Sequence, residues 1–581
     1  MHSLKFEMLL WIGLVALRLG WTFLPQTGYI HPDEFFQSTE VVAGDIFDLE
    51  VMKTWEFNSN QSIRSIIFPY LTCGVPYNII KAASETFDWK IESYWLLVGP
   101  RFAMTLLSLL IDWILYRTCK ASGVTNVWSC LATFACSYIV LVHLTRTLSN
   151  SMETLLFALL IYVVTQSLQS QHRTLLGGAA CNGILRESGC IGAIVVAGTF
   201  NRPTFFAFAV VPCLYWLTCR AQSGYVELLA AFVNCLPWLL MTTFAFALGD
   251  SLYYGSVRSA WIREVADLRT WPTPLLTALK NLTWTPVNFV KYNLKDGNLA
   301  LHGLHPKYLH FLVNFPLLFG LVAFASIVLP LKDIAQSRSI RRKDGQGKMM
   351  MLLSIWIPLL LLSVFPHQEP RFLMPLIIPL VLLMHEHILG TKVLTVLKWS
   401  WIMWNILGCV IFGAFHQGGV TKSLLFLNNE IEASSENVSH VVFYYTYMPP
   451  RHLLQIHKAT SETSTQVLDL SGATVEQLRV TISDIASKQE KSDGKRKEII
   501  YLVAPSVVDA SVEQVIKAYD WHVVKLFPHI SMEALPNWEE LSQNCRKAWT
   551  ETPSDKSAMS AVLNVLRKIA EAFSLSVFML K

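Results

Sequence analysis

The sequence predicts a polytopic α-helical membrane protein, and two observations carry that prediction. Of the 581 residues, 52% are hydrophobic and only 15% charged, with a mean hydropathy of +0.39. Soluble domains carry about 25% charged residues. The apolar residues also gather into runs close to the roughly 20 that a helix needs to cross a bilayer.

In chain order the runs lie near 8–24, 93–116, 126–144, 152–169, 180–199, 203–219, 224–247, 308–330, 349–365, 371–390 and 396–415, about eleven transmembrane helices. The first resembles a signal peptide. Arg18 interrupts its core and no small-residue cleavage site follows, so it is expected to be a retained span. The fifth is the weakest, because "CNGILRESGC" places Arg186 and Glu187 at its start. The tenth holds Pro375 and Pro379, which a packed bundle tolerates.

Lys and Arg of the short loops set the orientation. "RTCK" (117–120), "QHRT" (171–174), Arg220, the stretch 332–348 and Lys392 fall on one side. That places the N-terminus in the cytosol and the long loops 25–92 and 248–307 on the far side with residues 417–581. The sequons at Asn60, Asn281 and Asn437 land there too, as candidate glycosylation sites in an endoplasmic reticulum lumen. Two regions are expected: a membrane domain over 1–416 and a small luminal α/β region over 417–581. In the latter, 440–447, 465–471, 498–506 and 521–527 read as strands, 474–488 and 511–519 as helices, and the lysine-rich 488–497 as a linker. Eleven cysteines form no metal-like pairs. Most read as small core residues; Cys73 and Cys545 lie outside the spans, where a disulfide is one reading.

Ionisable residues collect at the luminal ends of the spans. Arg18 lies within the first run, Arg101 opens the second, and Arg146, Asn150 and Glu153 flank the fourth. Arg202 sits in "GTFNRPTF", and His367, Glu369 and Arg371 crowd "FPHQEPRFLMP". A single arginine at a span end snorkels to lipid phosphates. Several on the far side run against the insertion bias, and charge in a membrane is costly, so the group points to a site. In "GYIHPDEFFQSTE" (28–40), Pro32 suits a first helical turn, with Asp33 and Glu34 complementing its dipole. A helix over 33–43 would put Asp33, Gln37 and Glu40 on one face and set Phe35, Phe36 and Val42 against lipid or core. It would rest on the membrane surface. A carboxylate beside a partly dry cleft serves as a general base toward a hydroxyl, and arginines grip an anionic headgroup. Group transfer from a lipid phosphate to a hydroxyl acceptor fits these residues. The chain has no P-loop, HExxH or Asp-x-Asp pattern, which argues against a nucleotide-sugar donor; no nucleic-acid partner is expected.

The motifs "GYIHPDEFFQSTE", "TRTLSNSMET", "FNRPTF", "GDSLYYGS" (249–256), "NFVKYN" (288–293), "HGLHPKYLHFLVNFP" (302–316) and "FPHQEPRFLMPLIIPLVLL" (365–383) resemble the GT-C mannosyltransferases that use dolichol-phosphate-mannose, and more narrowly glycosyltransferase family 22. The resemblance spans most of residues 8–455. The family includes enzymes of GPI-anchor and of N-glycan precursor assembly. N-glycan members read His-Lys-Glu-Glu-Arg-Phe where this chain has Gln368 and Pro370. That form, the HPDE motif and 441–454 look most like the branch that adds the fourth mannose to the GPI precursor.

The resemblance implies a GT-C bundle and inverting α-1,2 transfer of mannose onto the third mannose of that glycolipid. It implies Asp33 as base with Glu34 beside it, and Arg202, Arg371 and His367, then Arg146 and Lys291, at the donor phosphate. Glu369 would orient Arg371 or bind a sugar hydroxyl. His31, Gln37, Glu153, Asn150, Tyr254 and His305 are candidates for binding or orienting substrate. Tyr253, Tyr254, Trp271 and Trp284 also suit an interfacial role, and His302 and His305 an ordering of the long loop. No metal, cofactor or obligate protein partner is expected. Three alternatives remain at this point: a sibling mannosyltransferase of N-glycan or earlier GPI assembly, a lipid-linked-sugar flippase or transporter, and a non-catalytic scaffold.

Overall fold

The computed structural model describes residues 2–59, 62–175, 181–256, 282–295, 297–298, 303–336, 343–433, 438–458, 465–491, 498–550 and 558–580. The chain forms two compact units, each assembled from separated segments. One comprises Met1–Phe23, Lys53–Val75 and Pro100–Ile406; the other comprises Leu24–Met52, Pro76–Gly99 and Leu407–Lys581.

The first unit is helical. All eleven apolar runs are in helix among the described residues. Eight helices are long and apolar enough to cross a membrane, and His310–Phe319 with Leu321–Ala335 makes a ninth if that pair, bent by 99°, is one span. The bend falls at Gly320, whose φ of +57° suits a residue without a side chain. A Cβ there would also stand 3.0 Å from the Trp404 ring. Two expected runs are not intact spans of that kind. Residues 126–144 split into the helix Val127–Ala135 and a π turn, Ile139–His143. The fifth run is the helix Cys181–Asn201, and its Glu187 pairs with Arg220 at 2.6 Å.

Arg18 does not belong to a site. Its Nη1 donates to Asp112 at 2.7 Å and to Ser108 Oγ at 3.2 Å, and Trp11 Nε1 donates to the same carboxylate at 2.8 Å. The pair is buried, so the charge in the first helix is neutralised by the second rather than offered to a ligand. Asp250 plays a similar part in "GDSLYYGS". It accepts from Ser65 Oγ (2.9 Å), Ile66 N (3.0 Å) and Thr285 Oγ1 (2.8 Å), which ties two loop segments to the end of the helix Tyr225–Tyr254.

The second unit holds a five-stranded sheet: β1 (Val438–Phe443), β2 (Gln466–Asp469), β3 (Glu498–Pro505), β4 (Trp521–Leu526) and β5 (Leu575–Leu580), in the order β2-β1-β3-β5-β4. The first three are parallel, and β5 runs antiparallel to β3 and β4. Four strands are those expected; β5 is additional. Near-continuous apolar runs such as "EIIYLVAP" suit strands covered on both faces. Leu478, Ile482, Val512 and Ile516, from the helices Val475–Lys491 and Asp509–Ile516, pack against Val442, Leu502 and Phe578. Residues 492–497 of the expected linker lie outside the described residues. Cys73 and Cys545 are both free thiols.

Candidate functional site

In the helical unit, three of the residues expected at the donor phosphate, Arg202, His367 and Arg371, assemble around an aromatic ring. Pro203 ends the helix Cys181–Asn201, and the next helix starts at Phe205, so Arg202 projects from a tight connection. Its Nη1 donates to Ser149 Oγ at 2.9 Å and its Nε to Thr204 Oγ1 at 3.4 Å. Glu153, one turn into the helix Ser149–Leu175, stands 3.9 Å from the same guanidinium. Glu153 also accepts from Thr204 Oγ1 at 3.0 Å and from Asn150 Nδ2 at 3.3 Å. The Arg202 guanidinium lies 4.9 Å from the centroid of Phe372, and that of Arg371 lies 5.5 Å from it. Cations over an aromatic face are attracted by its quadrupole, so one ring gathers two guanidinium groups.

Around them, Glu369 accepts a short hydrogen bond from Arg371 Nε and lies 2.8 Å from His367 Nε2. The His367 ring is 5.6 Å from Phe372 and 5.9 Å from His305. His305 pins the motif from the other side: its N–H donates to Pro366 O at 2.8 Å, and its Nδ1 accepts from Gln368 N at 3.3 Å. Gln368 is itself a buried staple, accepting from His310 N and donating to Ser363 O and Phe365 O. The structure thus brings together Asn150, Glu153, Arg202, His305, His367, Glu369 and Arg371. Arg146 is fully buried in the turn ahead of Ser149. Lys291 is exposed on the helix Thr285–Asn293 and does not join this cluster. Tyr254 is spent on structure, its hydroxyl donating to Arg64 O at 2.7 Å.

In the second unit, the segment after Pro32 is helical as expected but contains a π turn, Phe35–Thr39, before the helix Glu40–Ile46. The segment is buried within the protein from Glu34 to Gly44. Phe35 packs edge-on to Tyr29 at 4.9 Å. The two adjacent carboxylates differ sharply. Glu34 is 1% exposed, whereas the Asp33 side chain is 20% exposed. The Asp33 amide donates to His31 Nδ1 at 3.1 Å, and one oxygen of the Asp33 carboxylate stands 3.3 Å from the same ring nitrogen. Burial, then the charge of Glu34, pushes the Tyr29 hydroxyl well above its ordinary range, leaving it a neutral donor to Met448 O at 3.0 Å. Gln37 is buried beside this turn. Glu40 does not share a face with Asp33: the extra π residue turns it inward, where it accepts from three backbone amides.

Sequence reasoning did not single out Phe372, Ser149, Thr204 or His452 as site residues. Phe372 had a signal in its place directly after Arg371 in a charged motif. Among the described residues, no group of three or more His, Cys, Asp or Glu is arranged to hold a metal ion. Asn60, Asn281, Asn437, His302 and Trp271 lie outside the described residues.

The profile of the Alg9-like mannosyltransferase family matches residues 9–454. The chain is 35% identical to human GPI alpha-1,2-mannosyltransferase 4, over 93% of this chain and 92% of that one. It is 28% identical to Drosophila melanogaster GPI mannosyltransferase 4, over 90% and 86%, and 30% identical to the Emericella nidulans protein of that name, over 90% of each. Among solved structures it is similar to ArnT from Cupriavidus metallidurans in the apo state, with a TM-score of 0.46 at 11% identity over 89% of this chain and 95% of that one. It is also similar to the Archaeoglobus fulgidus oligosaccharyltransferase, with a TM-score of 0.39 at 9% identity over 98% and 88%. With the profile matched over most of its length, and close agreement in length with its relatives, this multi-span membrane chain belongs to the Alg9-like mannosyltransferase family.

Proposed function

We propose that the protein transfers mannose from dolichol-phosphate-mannose to the third mannose of the GPI-anchor precursor, in α-1,2 linkage with inversion, at the luminal face of the endoplasmic reticulum membrane. The observation that carries the reading is the pair of guanidinium groups on Phe372. Arg202 and Arg371 are each held by a carboxylate and a shared ring within the helical unit. An arginine grips phosphate bidentately, and two fixed in advance stabilise the charge that develops on a departing phosphate without reorganising.

In this reading Asp33 removes the proton of the acceptor hydroxyl as its oxygen attacks the anomeric carbon. The bond from that carbon to the phosphate oxygen breaks through an oxocarbenium-like transition state, and dolichyl phosphate leaves as an anion beside Arg202 and Arg371, with His367 near. The partial exposure of Asp33 against the burial of Glu34 favours Asp33 as the carboxylate an acceptor reaches. The names of the relatives, and the Gln368 and Pro370 form of the second motif, support the GPI acceptor.

The experiment is reconstitution of the purified protein with dolichol-phosphate-mannose and either a synthetic trimannosyl GPI or a dolichol-linked N-glycan precursor. The reading predicts a tetramannosyl GPI product and release of dolichyl phosphate. Product from the N-glycan precursor alone would overturn the acceptor, and lipid translocation without a new glycosidic bond would overturn the chemistry.

A further inference from the structure

The helical segment that begins at Asp33 carries a further carboxylate, buried where that of Asp33 is partly exposed. Glu40 is fully buried and takes four donors. Its Oε1 accepts the amides of Met52 at 3.1 Å and Arg451 at 3.0 Å. Its Oε2 accepts the amide of His452 at 3.1 Å and stands 2.5 Å from that residue's Nδ1. Neither side chain of the pair is exposed. A carboxylate stripped of water needs donors of this number and quality.

These donors come from an informative place. Arg451–Leu454 is a short 3-10 turn, whose first amides have no partner within it. Glu40 caps it from 412 residues away in sequence. The turn follows β1 through residues 444–450, and Ser93 Oγ holds its far end by donating to Leu453 O at 2.7 Å. The same segment reaches back to the base motif twice more. Met448 O accepts from Tyr29, and the His452 ring lies 6.0 Å from that of Phe35, two residues after Asp33.

The π turn explains how one segment serves both carboxylates. In an unbroken α-helix, residues seven apart share a face. One inserted residue rotates the rest of the helix by roughly 100°. Phe35–Thr39 supplies that rotation, so Asp33 stays partly exposed while Glu40 is buried against the 451–452 amides.

We propose that Glu40 and His452 are positioning residues for Asp33: they lock the π turn onto the segment leaving the sheet and so fix where the base carboxylate stands. This rests on the reading of Asp33 as the base, and it gives the sheet a part in catalysis, as the anchor of residues 444–454.

The test uses the purified full-length protein and its Glu40→Gln, His452→Asn, Glu40→Gln/His452→Asn and Asp33→Asn variants. Folded protein is quantified by gel filtration, and rates are measured against donor and acceptor concentration. Positioning predicts that kcat per folded molecule falls by about 10- to 100-fold while the donor KM stays within about 2-fold. The double variant should be no slower than the slower single variant, because both changes break one contact. An unchanged kcat per folded molecule, whatever the loss of yield, would overturn the inference. If Glu40→Gln gives no folded protein, His452→Asn decides by the same criterion, since it leaves the carboxylate its three backbone donors. An active Asp33→Asn enzyme would mean that the base assignment itself has failed. An inactive Asp33→Asn with a full-rate Glu40→Gln would sink the positioning role alone.

Discussion

The Arg202 guanidinium lies 4.9 Å from the centre of the Phe372 ring, and the two residues come from connections 170 positions apart. Phe372 is the residue that turns separate charged motifs into one cluster, because Arg371 and His367 lie against the same ring.

Arg202→Lys keeps the charge but loses the planar fork and its stacking on the ring. It should lower kcat by about 100-fold, the scale of losing one fixed donor to a developing anion. Phe372→Leu should lower turnover to a lesser degree by loosening both guanidiniums. Steady-state rates with varied donor check both; wild-type rates in both variants would contradict the role given to the cluster.

Arg18 and Asp112 predict a stability effect without a catalytic one. Removing one partner of a buried pair leaves an uncompensated charge and costs about 3–5 kcal/mol. Asp112→Ala should therefore melt at a clearly lower temperature, while its kcat per folded molecule stays at the wild-type value. Replacing both, as Arg18→Met/Asp112→Leu, should recover much of the loss.

Gly28 predicts a backbone effect. Its N–H donates to Gly413 O at 3.0 Å, and a Cβ there would collide with Phe412 O. Backbone cannot swing aside as a long side chain does, so Gly28→Ala should displace the start of the 28–40 motif that holds Asp33. Its expected mark is reduced yield of folded protein together with reduced kcat in what remains.

His529 predicts a pH dependence. It is 2% exposed. Burial, then the neighbouring His416, lowers its pKa from the ordinary 6.5 to about 3. Between these values the unfolded chain binds a proton that the folded chain refuses, so stability falls as pH drops through 6.5. From pH 7 to pH 5 this one group should remove about 2 kcal/mol. His529→Asn retains an acceptor for the Gly419 amide and should show a shallower fall in melting temperature over that range. An equal slope in both proteins would contradict the assignment.

Much of this fold is legible in the sequence because hydrophobic runs report helices directly. Among the described residues all eleven runs are mainly helical, and four of the five strands lie where alternating or continuous apolar patterns place them. β5 escaped because "LSVFML" is a short apolar run abutting a helix, which periodicity alone cannot assign. The charged motifs named most of the cluster around Phe372, since arginines and carboxylates at span ends are conspicuous against an apolar background. The pairings were not legible. Arg18 reads as a site residue until Asp112, 94 positions away, is seen beside it. Glu40 reads as a face-mate of Asp33 because nothing in the pattern distinguishes a π turn from an α turn when every residue through it is buried.

The most direct test is the turnover of Asp33→Asn, purified alongside wild type and supplied with dolichol-phosphate-mannose and trimannosyl GPI. A general base contributes about 10²- to 10⁴-fold. The expected result is a folded, membrane-inserted protein whose rate is at least about 100-fold below wild type, with donor KM little changed. A folded Asp33→Asn protein that forms the tetramannosyl product at the wild-type rate would contradict the proposed mechanism.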